Sequence, residues 1–273
     1  MTRSYYTPAG GLPGQGSALY DPARFTTAYA IIPAACMSDI VTSALPGWNN
    51  TRAWILARPL SGFAETFAQL IVEIGPGGGA NHPEPSQKGQ AAIFVTDGVL
   101  TLRIDGSEHR LTPGGYAYVP PGTDWQVRNQ TDSTVSFHWV RKRYVPAPDT
   151  AAPQPFVSHD NMVDPVAMPD TNGVWATTRF VDPLDMRHDM HLNIVTFQPG
   201  GCIPFAETHV MEHGIYVLQG RAQYLLNTDW VDVGPGDFMW LRAFCPQACK
   251  ATGDEPFRYL LYKDVNRHPR LTL

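Results

Sequence analysis

A carboxylate, two imidazoles and a carboxamide stand in this chain at spacings that would bring them together. The stretch GCIPFAETHVMEHGIYVLQG, from Gly201 to Gly220, sets Glu207 after five intervening residues, then His209, then His213, and closes on Gly220 six residues later. If the start of this stretch is a strand, its alternation puts Glu207 and His209 on one face, and His213 can join them across the following turn. A Pro-Gly-Asp turn at Pro235 to Asp237 follows, and eleven residues after Gly236 comes Gln247. A lone His in an apolar strand is ordinarily a satisfied core residue. Four potential ligands delivered by two separate segments are a different matter. With nitrogen and oxygen donors and no thiolate, the set suits a hard to intermediate divalent ion, manganese or iron, better than a closed structural zinc. Ligand chemistry alone does not choose between the two.

The spacing is that of the two cupin motifs, with Glu at the first ligand position and His at the last. The elements that would carry it come from an internal repeat. An offset of 122 residues superimposes Ile93, Phe94, Val95 and Gly98 on Ile215, Tyr216, Val217 and Gly220, and Pro113-Gly114 on Pro235-Gly236. Each copy reads as short strands between turn residues, such as 100–104 and 222–226, with no long helical periodicity. The first copy is an internal control: Pro85, Gln87, Ala91 and Trp125 fall where the second has Glu207, His209, His213 and Gln247. No metal site is expected there, and His82 and Glu84 read as loop residues.

The same subtraction finds two more groups. Phe137 and Arg141 of the first copy correspond to Tyr259 and Lys263 of the second. Four residues apart, these share a strand face. If that face is the barrel interior, Lys263 offers a cation to a substrate carboxylate and Tyr259 a hydrogen-bonding phenol. Tyr224, on a strand behind Gly220, is a further interior candidate.

Taken with SYYTP (4–8), LPGWNNT (45–51), KRYVP (142–146), ETHVMEHG (207–214), Gln247 and YLLYKDVNR (259–267), the sequence resembles the (S)-ureidoglycine aminohydrolases of allantoin degradation over nearly its whole length. The resemblance implies a bicupin in which Glu207, His209, His213 and Gln247 bind manganese in the C-terminal barrel. It implies too that Tyr224, Tyr259 and Lys263 contact substrate or assist proton transfer, with Glu207, Tyr259 and Lys263 catalytic. It also implies a homo-oligomer. Two other readings stay open: another metal-dependent cupin enzyme, such as an iron dioxygenase or an isomerase acting on a small polar acid, and a non-catalytic ligand-binding bicupin.

Composition agrees with this architecture and removes others. Charged residues make up 16% of the 273, against about 25% in a typical domain, so the chain is neither a solvating tail nor a coiled coil. Gly and Pro together number 49, the turn chemistry of many short strands. With a net charge of -5 and no basic run longer than Arg141 to Arg143, a nucleic-acid partner is not expected. The first sixteen residues hold no uninterrupted apolar core, and no run of about 18 apolar residues occurs, so a cytoplasmic protein with no membrane partner is expected. Cys36, Cys202, Cys245 and Cys249 are too sparse for a disulfide scaffold and read as buried free thiols. The organisation expected is all-β, two tandem antiparallel jelly-roll barrels. Residues 1–40 form an arm, 41–150 the first barrel with its degenerate metal site, 151–175 a connector, and 176–273 the second barrel with the active site. The apolar stretch Tyr29 to Ile32 would cover a sheet edge or another subunit.

Overall fold

The structure is a computed structural model and describes residues 2–12 and 23–264. Among these residues the only helical pieces are three-residue 3-10 turns, and everything else regular is strand. Every strand pairing is antiparallel, and the repeat is present element by element. Gly89–Asp97 answers to His213–Gln219, Leu100–Ile104 to Ala222–Leu226, Ser107–Leu111 to Asp229–Val233, Gly115–Val119 to Phe238–Leu241, Trp125–Arg128 to Gln247–Ala251, and Val135–Arg143 to Phe257–Asp264. Gly98 and Gly220 share φ 73°, and a Cβ there would come 2.6 Å from the Thr134 carbonyl oxygen and 2.4 Å from that of Pro256. Only glycine tolerates both demands, which is why the repeat keeps it.

In the second barrel the strands Phe238–Leu241, His213–Gln219, Phe257–Asp264, Met190–Phe197 and Trp175–Arg179 lie side by side. They face a three-stranded sheet of Asp229–Val233, Ala222–Leu226 and Gln247–Ala251. In the first barrel the corresponding halves are continuous, because Trp125–Arg128 also pairs with the far end of the long strand Phe67–Ala80. No helix among the described residues is long and apolar enough to cross a membrane. The four cysteines are free, Cys245 and Cys249 buried and Cys36 and Cys202 half-buried.

The core has three parts. One fills the second barrel, with Ile215, Val217, Tyr224 and Tyr259; another fills the first, with Val72, Ile93, Phe137 and Trp139. The third lies between the barrels and joins Trp54, Ile71 and Phe94 of the first to Tyr216, Leu218 and Tyr262 of the second. The central strands are therefore buried on both faces, and a stretch such as Ile215 to Leu218 reads as an unbroken apolar run.

Each barrel's sheet is extended by a strand from outside it. Tyr29–Ile32 of the N-terminal arm pairs with Phe238–Leu241, so the expected edge-covering role is played within the chain. Phe156–His159 of the connector pairs back onto Gly115–Val119 of the first barrel. Two buried carboxylates fasten these parts. Asp160, fully buried, accepts from the Tyr5 hydroxyl at 2.8 Å and from Arg258. Glu212 accepts from Trp240 Nε1 (2.8 Å), from the backbone N–H of Glu65 (2.9 Å) and Thr66 (2.6 Å), and from the Thr66 hydroxyl.

Candidate active site in the second barrel

Strand alternation decides which side chains enter the second barrel. On His213–Gln219, Ile215 and Val217 belong to the barrel interior and Tyr216 and Leu218 to the layer between barrels. His213 shares the parity of the first pair and so points inward. On Phe257–Asp264 the same argument sends Phe257, Tyr259 and Lys263 inward, and Leu260 and Tyr262 to the other face. The interior face expected for Tyr259 and Lys263 is the one they occupy. Lys263 lies in register between His213 on one side and His191 on the other.

Glu207 and His209 are not on a regular strand, contrary to the expectation from spacing. Two isolated bridges take the place of a strand here, Cys202 to Lys250 and Glu207 to Gln247. Four residues lie between the bridges on one side and two on the other, and Pro204 offers no N–H, so the ladder cannot continue between them. The bridge nonetheless joins the two motifs. The backbones of Glu207 and Gln247 exchange both N–H···O bonds, each 2.9 Å. His209 is fixed by its carbonyl, which accepts from Phe244 N–H at 2.6 Å.

The side chains then meet. His209 Nε2 lies 3.3 Å from Glu207 Oε1, and Gln247 Nε2 donates to the same oxygen at 3.2 Å. The Tyr224 hydroxyl donates to Gln247 Oε1 at 2.9 Å. The rings of His209 and His213 stand edge to face with centroids 5.1 Å apart, and Tyr224 and Tyr259 do the same at 6.1 Å. Burial, followed by the nearby His209 and Lys263, lowers His213 to about 3, so this imidazole is a neutral lone-pair donor. Burial likewise drives the Tyr224 and Tyr259 phenols well above 10, keeping both protonated. Burial and the Arg179 guanidinium lower the Lys263 ammonium.

As they stand, no three His, Cys, Asp or Glu side chains among the described residues converge closely enough to hold an ion. The donor chemistry nevertheless fits one: a carboxylate, two imidazoles and a carboxamide, with Glu207, His209 and Gln247 drawn onto one another. The Gln247 carbonyl is turned to Tyr224. Turning the amide over aims it to the Glu207 side, and Tyr224 can accept as well as donate.

Three further groups share this mouth and escaped the sequence reading: Arg179, His191 and Asn193. Arg179 is opposite Asn193 in register, and Asn193 and His191 lie on the inward face with Val195 and Phe197. His191 is lowered to about 4 by burial first and by Lys263 next. For His191 and Asn193 the one trace in the sequence is two polar residues interrupting the apolar run MHLNIVTF.

The first barrel places other chemistry at the corresponding positions. Ala91 and Trp125 are buried core residues, Trp125 edge-on to Trp139 at 6.2 Å. His82 is an exposed loop residue. Glu84 is also in the loop, with its side chain buried and receiving Arg141 Nη2, whose guanidinium lies 4.9 Å above the Trp139 ring. Gly89 makes the room, since a Cβ there would be 2.6 Å from Glu84 Cδ. A cavity of about 560 Å³ opens beside this ion pair in the first barrel, lined by Glu84, Gly89 and Arg141 among others.

The fold and the cluster define a two-barrel cupin with a polar site in its second barrel, and the family model described as Cupin domain matches residues 70–141 and 193–262. The chain is 30% identical to (S)-ureidoglycine aminohydrolase of Escherichia coli (strain K12), covering 84% of this chain and 86% of that one. It is 32% identical to (S)-ureidoglycine aminohydrolase of Arabidopsis thaliana over 84% of this chain and 74% of the relative. A solved structure of a Pseudomonas aeruginosa protein, provisionally named glyoxylate-induced, is 59% identical over the whole of both chains with a TM-score of 0.93. The chain belongs to the (S)-ureidoglycine aminohydrolase family of bicupins. Of the family-like stretch at its C-terminus, residues 265–267 lie outside the described residues.

Proposed function

We propose that this protein is a divalent-metal-dependent hydrolase that converts (S)-2-ureidoglycine and water to (S)-ureidoglycolate and ammonia. What supports the reading is one observation: Glu207, His209, Gln247, Tyr224 and Tyr259 form a connected cluster in the second barrel. His213 and Lys263 flank it in register, in a chain at least 30% identical to two such aminohydrolases. Glu207, His209, His213 and Gln247 would hold the ion, manganese in our reading with iron as the alternative. When bound, such an ion lowers the pKa of a coordinated water and so supplies a nucleophile near neutral pH.

The substrate is an aminal whose α-carbon carries a carboxylate, an amino group and a ureido nitrogen. Lys263 pairs with the carboxylate and fixes one prochiral face. A Glu207 oxygen takes a proton from the attacking water and delivers it to the departing amine. The C–N bond breaks, the C–O bond forms, and ammonia leaves. Tyr224 and Tyr259, held protonated by burial, are the hydrogen-bond donors around this exchange. The second barrel carries the chemistry and the first supports it, in a cytoplasmic homo-oligomer acting on a small molecule.

The test is ammonia release from freshly generated (S)-ureidoglycine by metal-stripped protein, with and without manganese, corrected for spontaneous decay. Manganese-dependent acceleration that yields one enantiomer of ureidoglycolate is expected. Folded, manganese-loaded protein that gives no acceleration would sink the assignment.

A further inference from the structure

The wall of the second barrel beside Lys263 carries a buried polar atom with no partner among the described residues. Asn193 is 3% exposed, and its Oδ1 has no hydrogen-bond partner there. Such an orphaned buried acceptor calls for a donor. Arg179 stands opposite Asn193 on the neighbouring strand, facing the same interior as Trp175 and Phe197. No carboxylate pairs with Arg179 or with Lys263 among the described residues. Two cations on one wall with no counter-ion leave a place for an anion. Asp264, next to Lys263, belongs to the opposite face of its strand with Leu260 and Tyr262.

The first barrel shows that this wall is particular to the second. Its register puts Ala68 opposite Arg141, as His191 is opposite Lys263, and Ile55 opposite Leu70, as Arg179 is opposite Asn193. Where the first barrel has Ile55, Ala68 and Leu70, the second has Arg179, His191 and Asn193. A barrel wall needs only apolar volume for stability, so three polar replacements at one mouth point to a ligand with complementary groups.

We propose that Arg179 and Asn193 are specificity residues for the carboxylate–ureido half of the substrate, Arg179 sharing the carboxylate with Lys263 and Asn193 Oδ1 accepting a ureido N–H. This rests on the aminohydrolase reading and deepens it. A carboxylate lacking the ureido group leaves Asn193 unpaired and is discriminated against; a ureido compound lacking the carboxylate leaves the two cations facing each other.

The test uses a stable probe, N-carbamoylglycine, which has the carboxylate and ureido groups but no leaving amine, beside glycolate, which has the carboxylate and a hydroxyl but no ureido group. Binding of each to manganese-loaded protein is measured calorimetrically for wild type, Asn193→Leu, Asn193→Ala and Arg179→Met, with manganese affinity read separately from its paramagnetic resonance signal. Asn193→Leu and Asn193→Ala are expected to weaken N-carbamoylglycine about 10-fold or more while leaving glycolate unchanged. Arg179→Met is expected to weaken both probes about 10- to 100-fold. Manganese affinity stays at the wild-type value in all three. Equal losses for both probes in the Asn193 variants, or wild-type binding in Arg179→Met, overturn the inference while wild-type turnover of (S)-ureidoglycine leaves the aminohydrolase reading intact. Wild type that neither turns over (S)-ureidoglycine nor binds N-carbamoylglycine overturns both.

Discussion

His138 gives a pH dependence that can be worked out before it is measured. It lies on Val135–Arg143, fully buried in the layer between the barrels, with its ring 4.3 Å from that of Tyr216. Nδ1 has a long 3.4 Å contact with Gln69 Nε2, and Nε2 has no partner among the described residues. Burial lowers this histidine from 6.5 to about 3. The folded protein thus keeps it neutral over a range where the unfolded chain takes up a proton. The associated stability is fully present above pH 6.5, falls as the pH drops below that value, and is exhausted near pH 3. At pH 5.0 the unfolded chain gains a factor of about 30 from protonation, worth about 2 kcal/mol, against less than about 0.1 kcal/mol at pH 7.5. His138→Leu removes this contribution at similar volume. Whatever it costs at pH 7.5, its stability relative to wild type should improve by about 2 kcal/mol at pH 5.0. His191 and His213 are present in both proteins and cancel. Urea unfolding of the metal-free proteins, followed by tryptophan fluorescence at both pH values, measures the difference. If the two proteins lose stability in parallel between pH 7.5 and 5.0, His138 is not a neutral buried histidine and the reasoning fails.

Glu207→Gln tests whether this residue moves protons as well as holding an ion. Its turnover should fall by about 100-fold or more, with a much smaller loss of manganese affinity by titration, and equal losses would reduce Glu207 to a ligand. Glu212→Ala strips the acceptor from Trp240 Nε1, two backbone N–H groups and the Thr66 hydroxyl. A loss of about 3 to 5 kcal/mol in urea unfolding is expected for removing one side of such a buried charged network, and an unchanged midpoint would show that Glu212 fastens nothing.

The sequence made the repeat legible because turn geometry permits little substitution. Gly98 and Gly220 stand at the same φ, as do Gly114 and Gly236 at 91°, and a residue type forced by backbone geometry survives where packing residues drift. The metal-type ligands were legible for a related reason: spacing within a motif is a geometric requirement. Tyr259 and Lys263 emerged only from subtracting one copy from the other. Arg179, His191 and Asn193 have no spacing signature, sit upstream of the loop where the offset changes, and lie on strands buried on both faces, where alternation carries little contrast. The burial of the Glu84 side chain in its loop was not legible because it depends on a missing side chain at Gly89. The regular strand expected through Glu207 and His209 failed because pairing depends on the partner segment's length, which a local pattern does not contain.

The first barrel's contribution can be argued from what touches the strands that bear His213 and Lys263. Phe67 of the first barrel stacks on Tyr262 at 3.8 Å, directly beside Lys263. The same ring abuts Gly214, where a Cβ would lie 2.7 Å from Phe67 Cζ and 2.9 Å from Gln69 Oε1. Glu212, on the other side of His213, reaches back to the backbone of Glu65 and Thr66. Residues immediately before and after the two inward-pointing groups are thus clamped from behind by one short segment of the other barrel. A site that must hold its ligands to within fractions of an ångström gains most from support of this kind. The first barrel thus braces the strands that bear His213 and Lys263 in the second.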